Sequence, residues 1–385
     1  MGPKIRKILL ITAISVIPTI LLWLPFYLRL TSFWNIPLAN DGMATVVSNY
    51  DGPLYIVVAK TLYNPQAIKN NYSFNLPVEY YAAHFPMYPL LVKPVAMVVG
   101  FPYATLIVTL ASSILALYFF NKLISQHVTK SNSAWLTFLF AIFPARWLVV
   151  RSIGSPEPLF IAAIIASVYY FNNKKYWPAA FWGAIAQLTK SPGILLFAAY
   201  MGAIIIPKFQ KLATAQINKV TKIINYKSYP VLLIPFALLV VFTIYKYTLN
   251  DFFAYFNSGD NIHLFFPPFQ IFNYSAPWVN THWLEEIVFV YFVCTLGFLK
   301  LIEQKQVVYA WFVGIFLTSL FFVSHRDLIR YALPIIPFLY VAFADTLSKK
   351  EIKIAVAIII IPIYLFSLAF ISKNVMPISN WSPLL

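Results

Sequence analysis

The sequence predicts an all-α polytopic membrane protein of about 11 spans with two large outer loops, and three observations lead there. Hydrophobic residues make up 61% of the 385 positions and charged residues only 10%, against roughly 25% charged in a soluble domain. Mean hydropathy is +0.74, too high for a soluble body with one anchor. The apolar runs approach the roughly 20 residues a helix needs to cross a bilayer. They are continuous rather than alternating, which excludes an outer-membrane barrel.

The first run follows Lys4, Arg6 and Lys7 and starts at Ile8. It resembles a signal peptide, but no small-residue cleavage site follows. Trp23, Pro25 and Tyr27 mark a membrane interface instead, so it reads as a retained span. Spans are expected near 8–28, 103–121, 134–149, 158–171, 177–189, 192–206, 230–249, 286–300, 307–323, 330–345 and 354–371. The division at 190–191 rests on Lys190-Ser191-Pro192-Gly193, which breaks a helix and carries a charge. Met87–Gly100 is apolar but short, with Lys93 and Pro94 inside it, and reads as a helix lying on the outer leaflet. Two outer loops remain, about 29–102 and 250–285, rich in Tyr, Phe, Trp, Asn and Pro. No internal repeat or linker divides the chain, so 1–385 reads as a single transmembrane domain.

The net charge of +16 does not point to nucleic acid, because the bases are scattered between apolar runs as topology signals. With the N-terminus cytoplasmic, the inside loops hold 17 of the 28 Lys and Arg residues and only three acids, Glu303, Asp345 and Glu351. This bias places the other loops outside: the outer face of a prokaryotic plasma membrane, or the lumenal face of the ER in a eukaryote. The single Cys294 excludes an intramolecular disulfide.

The residues with chemical potential fall on the outer side. Asp51, in Asn49-Tyr50-Asp51-Gly52-Pro53-Leu54-Tyr55, is a carboxylate at a membrane surface, where a base can act on a lipid-borne substrate. Asp41, in Asn40-Asp41-Gly42, competes for the role, and Asp-Gly is also a common turn pair. His84-Phe85-Pro86-Met87-Tyr88-Pro89-Leu90-Leu91 reads by itself as an interfacial aromatic belt. Arg146, Arg151 and Glu157 lie at the outer ends of two spans, where they are expensive unless paired or functional. An Arg–Glu pair with snorkelling arginines is the structural reading. Lys190, Arg326 and Arg330 are cations on a side where the positive-inside trend leaves few, and phosphate is a ligand that explains them. Asp327 is expected to neutralise one arginine, its neighbour Arg326 first.

No P-loop, GxGxxG, HExxH or paired-Cys site occurs, and no Asp-x-Asp to hold a nucleotide sugar through a metal. The histidines are too dispersed to indicate a metal. Asn71-Tyr72-Ser73, Asn273-Tyr274-Ser275 and Asn380-Trp381-Ser382 fit glycosylation acceptors on the outer side.

Taken together, these motifs resemble integral-membrane glycosyltransferases of the GT-C class, most of all the PIG-V-like branch of GPI mannosyltransferase 2 and its prokaryotic relatives. That branch carries Trp-Asp-x-x-x-Tyr followed by Ile-Ala; here Tyr50-Asp51-Gly52-Pro53-Leu54-Tyr55 and Val58-Ala59 are similar, with Tyr for Trp. His84–Leu91 resembles its Phe-Phe-Pro-Leu-Tyr-Pro-Leu-Leu patch. Ser155-Pro156-Glu157 resembles a later Ser-Glu with a Pro inserted. Lys190-Ser191-Pro192-Gly193 and Arg330-Tyr331-Ala332-Leu333-Pro334 resemble two further motifs, all in order over about 45–345. The resemblance implies a GT-C-like bundle, a polyprenyl- or dolichyl-phosphate sugar donor, inversion at the anomeric carbon and Asp51 as base. Arg326, Arg330, Arg151 and Lys190 are then the candidate phosphate ligands. Tyr50, Tyr55, His84, Tyr88 and Glu157 are the candidates for holding the sugar and the lipid or glycan acceptor. No cofactor is obligatory, because a phosphate held by cations is already a good leaving group. The rival readings are a flippase for lipid-linked sugars, which more often shows a repeat, and a non-catalytic subunit of a glycosylation complex.

Overall fold

The computed structural model describes residues 2–214, 226–273, 275 and 281–385. Among these the chain is almost wholly helical. The one sheet is a two-residue hairpin, β1 (Ser32–Phe33) paired antiparallel with β2 (Ile36–Pro37). In chain order the helices are α1 (Pro3–Tyr27), α2 (Met43–Val47), α3 (Gly52–Thr61), α4 (Pro65–Asn71), α5 (Met87–Val99) and α6 (Phe101–Ile124). Then come α7 (Lys130–Ile142), α8 (Ala145–Val150), α9 (Glu157–Asn172), α10 (Tyr176–Thr189), α11 (Ile194–Thr214) and α12 (Leu233–Thr248). The last six are α13 (Thr281–Glu303), α14 (Val307–Phe321), α15 (Leu328–Ala332), α16 (Ile336–Ala342), α17 (Ala344–Leu347) and α18 (Lys350–Lys373).

Among the described residues, four helices are each long and apolar enough to cross a membrane: Ile5–Tyr27, Phe101–Ile124, Lys227–Thr248 and Lys350–Lys373. Shorter apolar helices accompany them, and the protein is an all-α polytopic membrane protein. α1 and α18 turn Ile17, Leu21, Ile358 and Ile361 outward. Such faces are unfavourable in water and match hydrocarbon. α9 has no polar side: Glu157 through Val168 are all buried. A helix apolar all round belongs at the centre, and α9 packs there against α6 and α10, with α12 behind α10 and α14 against α11 and α13.

Helix breaks fall where backbone chemistry demands them. α10 stops at Thr189 and a single 3-10 turn, Ser191–Gly193, leads into α11, as the Lys-Ser-Pro-Gly run predicts. The span expected over 134–149 is two helices, because Pro144 ends α7 and starts α8. The region expected as an outer loop at 29–102 holds four helices, α2 to α5. α3 is no surface turn: Gly52 to Ala59 are all buried, against α5 and α6. Gly52 is required there, since a Cβ would meet the Val47 carbonyl oxygen and lie 3.2 Å from the Gly154 oxygen. α5 lies where a surface helix is expected, and its Met97 and Val98 are exposed. Much of the inside loop expected over 207–229, with Lys219 and Lys222, lies outside the described residues, as does Tyr274 of one glycosylation triplet.

Candidate active site

α9 and α10 form an antiparallel hairpin through Asn173–Lys175, so the first residue of α9 and the residue after α10 return to the same end of the bundle. These residues are Glu157 and Lys190. Their Oε1 and Nζ lie 2.7 Å apart. α15 brings Arg330 to the same carboxylate: its Nε donates to Oε1 at 2.7 Å and its Nη2 lies 2.6 Å away. Ser155 Oγ donates to the other oxygen, Oε2. Two cations and a hydroxyl thus hold a carboxylate that is only 4% exposed. Removing one partner from a buried ion pair costs about 3–5 kcal/mol, while the intact pair barely repays its desolvation. Stability alone is therefore a poor reason to keep such a cluster.

Asp51 caps the start of α3 beside this cluster. Its Oδ2 lies 3.8 Å from Arg330 Nη2, and its side chain is 36% exposed. Of the two carboxylates near Arg330, Asp51 is the one a substrate can reach. Arg330 also stacks over the Tyr50 ring, 4.2 Å from guanidinium carbon to centroid. The Tyr50 hydroxyl donates to Asp327 Oδ2 at 2.7 Å and accepts from Arg146 Nη1 at 3.3 Å. Arg146 pairs with Asp327 at 3.1 Å and lies over Phe370 of α18 at 3.7 Å.

All of these groups except Ser155 line one cavity of about 1070 Å³. Its charged lining is Arg146, Lys190, Arg326, Arg330 and Lys373 against Asp51, Glu157 and Asp327, a net positive wall. Its histidines are His84, His263 and His325. Burial pushes the His84 imidazole below its usual range, the Asp51 charge opposing this in part. Burial, with His263 beside it at 4.4 Å between ring centroids, brings His325 down to about 3. His325 Nδ1 accepts from the Asp327 amide at 3.0 Å. Both rings are therefore neutral near pH 7. Leu238 and Phe242 of α12, Phe256, Leu264, Phe316 and Leu320 make the apolar part of the cavity.

Most of the residues singled out by sequence meet here: Asp51, Tyr50, Tyr55, His84, Glu157, Lys190, Arg326 and Arg330. Three do not. Asp41 is exposed in the turn before α2 and lies outside the cavity lining. Tyr88 is fully buried, bonded to Thr105 O and Thr109 Oγ1, and supports Tyr55 edge-on at 5.2 Å. Arg151 points into the helix core and bonds to Ser15 instead. Asp327 neutralises Arg146 and not its neighbour Arg326, and Glu157 pairs with Lys190 and Arg330 rather than with the arginines nearest in sequence. Sequence reasoning did not assign Arg146 or Lys373 to the site. Both fall in segments that the sequence reading expects outside, so the signal that singled out Lys190 and Arg330 applied to them as well.

No family model matches the chain, and no curated protein matches it. Among solved structures it is similar to the archaeal oligosaccharyltransferase AglB from Archaeoglobus fulgidus, solved in complex with an inhibitory peptide and a dolichol-phosphate. The TM-score is 0.50 at 13% identity, over 96% of this chain and 56% of that one. The chain thus spans a little over half the length of that protein. At this identity the likeness carries the fold alone.

Proposed function

We propose that the protein is a glycosyltransferase that moves a sugar from a polyprenyl- or dolichyl-phosphate donor to an acceptor hydroxyl at the outer membrane face. The observation that carries this reading is the partly exposed Asp51 carboxylate, set 3.8 Å from Arg330 in a cavity with a net positive wall. In the proposed step the acceptor oxygen attacks the anomeric carbon and its proton passes to Asp51. The bond from that carbon to the phosphate oxygen breaks, and the lipid phosphate leaves. Arg330 and Lys190 stabilise the charge that develops on it, with Arg326 at the cavity mouth. The prenyl chain runs along the apolar lining of α12 and α14. A single displacement of this kind inverts the anomeric configuration.

Two further points support the reading. The fold neighbour was solved with a dolichol-phosphate, which is a donor-type lipid. The five motifs similar to the PIG-V-like branch each place at least one residue in this one cavity, though they are spread over nearly 300 residues of sequence. That resemblance makes mannose the first sugar to try. The test is transfer of a labelled sugar from a synthetic polyprenyl-phosphate donor by the purified protein, with the anomeric configuration of the product read by NMR. Label appearing on an acceptor with inversion supports the reading. Donor moved across a liposome membrane without cleavage would replace it with that of a flippase.

A further inference from the structure

The turn that presents Asp51 is tied from behind to the end of α18. Asn49 is fully buried, and its side chain joins three segments. Nδ2 donates to Ile371 O at 2.7 Å and to Thr45 O at 3.2 Å, and Oδ1 accepts from Asn374 Nδ2 at 3.2 Å. Ile371 lies in the last turn of α18, whose carbonyls have no partner within the helix. Asn49 supplies the missing donor. The backbone repeats the connection: Asn49 and Val375 form an antiparallel bridge, Tyr50 N donates to Asn374 O at 3.4 Å and Met376 N to Ser48 O at 2.8 Å. Between these ties and Asp51 stands Tyr50 in the left-handed region at φ 49°. A tyrosine rarely adopts that conformation, and it persists only where the surroundings over-determine it. Asn49 O then accepts from Gly52 N at 3.1 Å, closing the turn around Asp51.

We infer that Asn49 is a positioning residue for the Asp51 carboxylate, acting by clamping the 49–52 turn to the end of α18. The inference rests on the reading of Asp51 as base. Asn49 touches no substrate: it is fully buried and is not among the residues lining the cavity, whereas its partner Asn374 is. Its loss lets the turn relax and moves the carboxylate away from the acceptor hydroxyl while Arg330 and Lys190 stay with Glu157. Misplacement of a catalytic group by about 1 Å costs on the order of 10²-fold in rate.

The test is the kinetics of sugar transfer from the polyprenyl-phosphate donor for Asn49→Ala and Asn374→Ala, each also combined with Asp51→Asn. Asn49→Ala is expected to lower kcat by roughly 10²-fold and leave the donor KM within about twofold. Asn374→Ala, which removes one tie, is expected to lower kcat by about tenfold and serves if Asn49→Ala does not fold. In the Asp51→Asn background neither change should lower the rate further, because a residue that acts through Asp51 has nothing left to position. Full kcat in either single variant overturns the inference, and so does a further loss in the Asp51→Asn background. A wild-type protein that transfers no sugar overturns the reading of Asp51 and this inference together, which separates the two failures.

Discussion

Arg330 and Arg151 look alike in sequence, each an arginine at the outer end of an apolar helix, and the structure puts them in opposite surroundings. Arg330 stands in the cavity with a carboxylate on each side and an aromatic ring beneath it. Arg151 is fully buried among helices, its Nη2 bonded to the carbonyl and hydroxyl of Ser15 at 2.5 and 3.0 Å, while its Nε and Nη1 have no hydrogen-bond partner among the described residues. A cation at a helix end is therefore not by itself a phosphate ligand. What sets Arg330 apart is convergence: Asp51 before α3, Glu157 of α9, Lys190 after α10 and Arg330 of α15 all line the same cavity.

This contrast is open to direct measurement. On the proposed reading Arg330→Ala removes a donor from the place where charge develops on the departing phosphate, and transfer should fall by roughly 10²–10³-fold. Arg330→Lys keeps the charge but loses the planar fork that now serves Glu157 and Asp51, so donor KM should rise with an intermediate loss of rate. Lys190→Met removes one charged contact to the donor and should raise its KM by about tenfold. Arg151→Met should leave the donor KM within about twofold. Its thermal midpoint should hold or rise, since an apolar side chain of similar volume replaces a buried cation that pairs with no carboxylate among the described residues. If Arg151→Met weakens donor use as much as Arg330→Ala does, the division between the two regions fails.

Sequence reasoning reached the two regions unequally for the same physical cause. Helix breaks with a local chemical signal were legible: Lys190-Ser191-Pro192-Gly193 stops α10 and opens α11. Pro144 carried the same kind of signal and splits the span expected over 134–149. The helices between α1 and α6 were not legible as core, because α3 is short and its burial comes from α5 and α6 rather than from its own period. In the site, residue types were legible, since cations expected on the outer side break the positive-inside trend. Direction and pairing were not. Nothing local says that Asp327 takes Arg146, that Glu157 takes two cations from segments 33 and 173 residues away, or that Arg151 turns inward.

The proposed reaction turns on Asp51, and the comparison with Asp41 tests it most directly. Asp51→Asn keeps the shape of the side chain and removes the proton acceptor; Asp41→Asn makes the same change at an exposed carboxylate outside the cavity. With labelled polyprenyl-phosphate sugar at saturation, Asp51→Asn should lose roughly 10²–10⁴ in kcat at an unchanged thermal midpoint, and Asp41→Asn should match the wild type. An active Asp51→Asn beside an inactive Asp41→Asn would contradict the account and move the base out of this cavity.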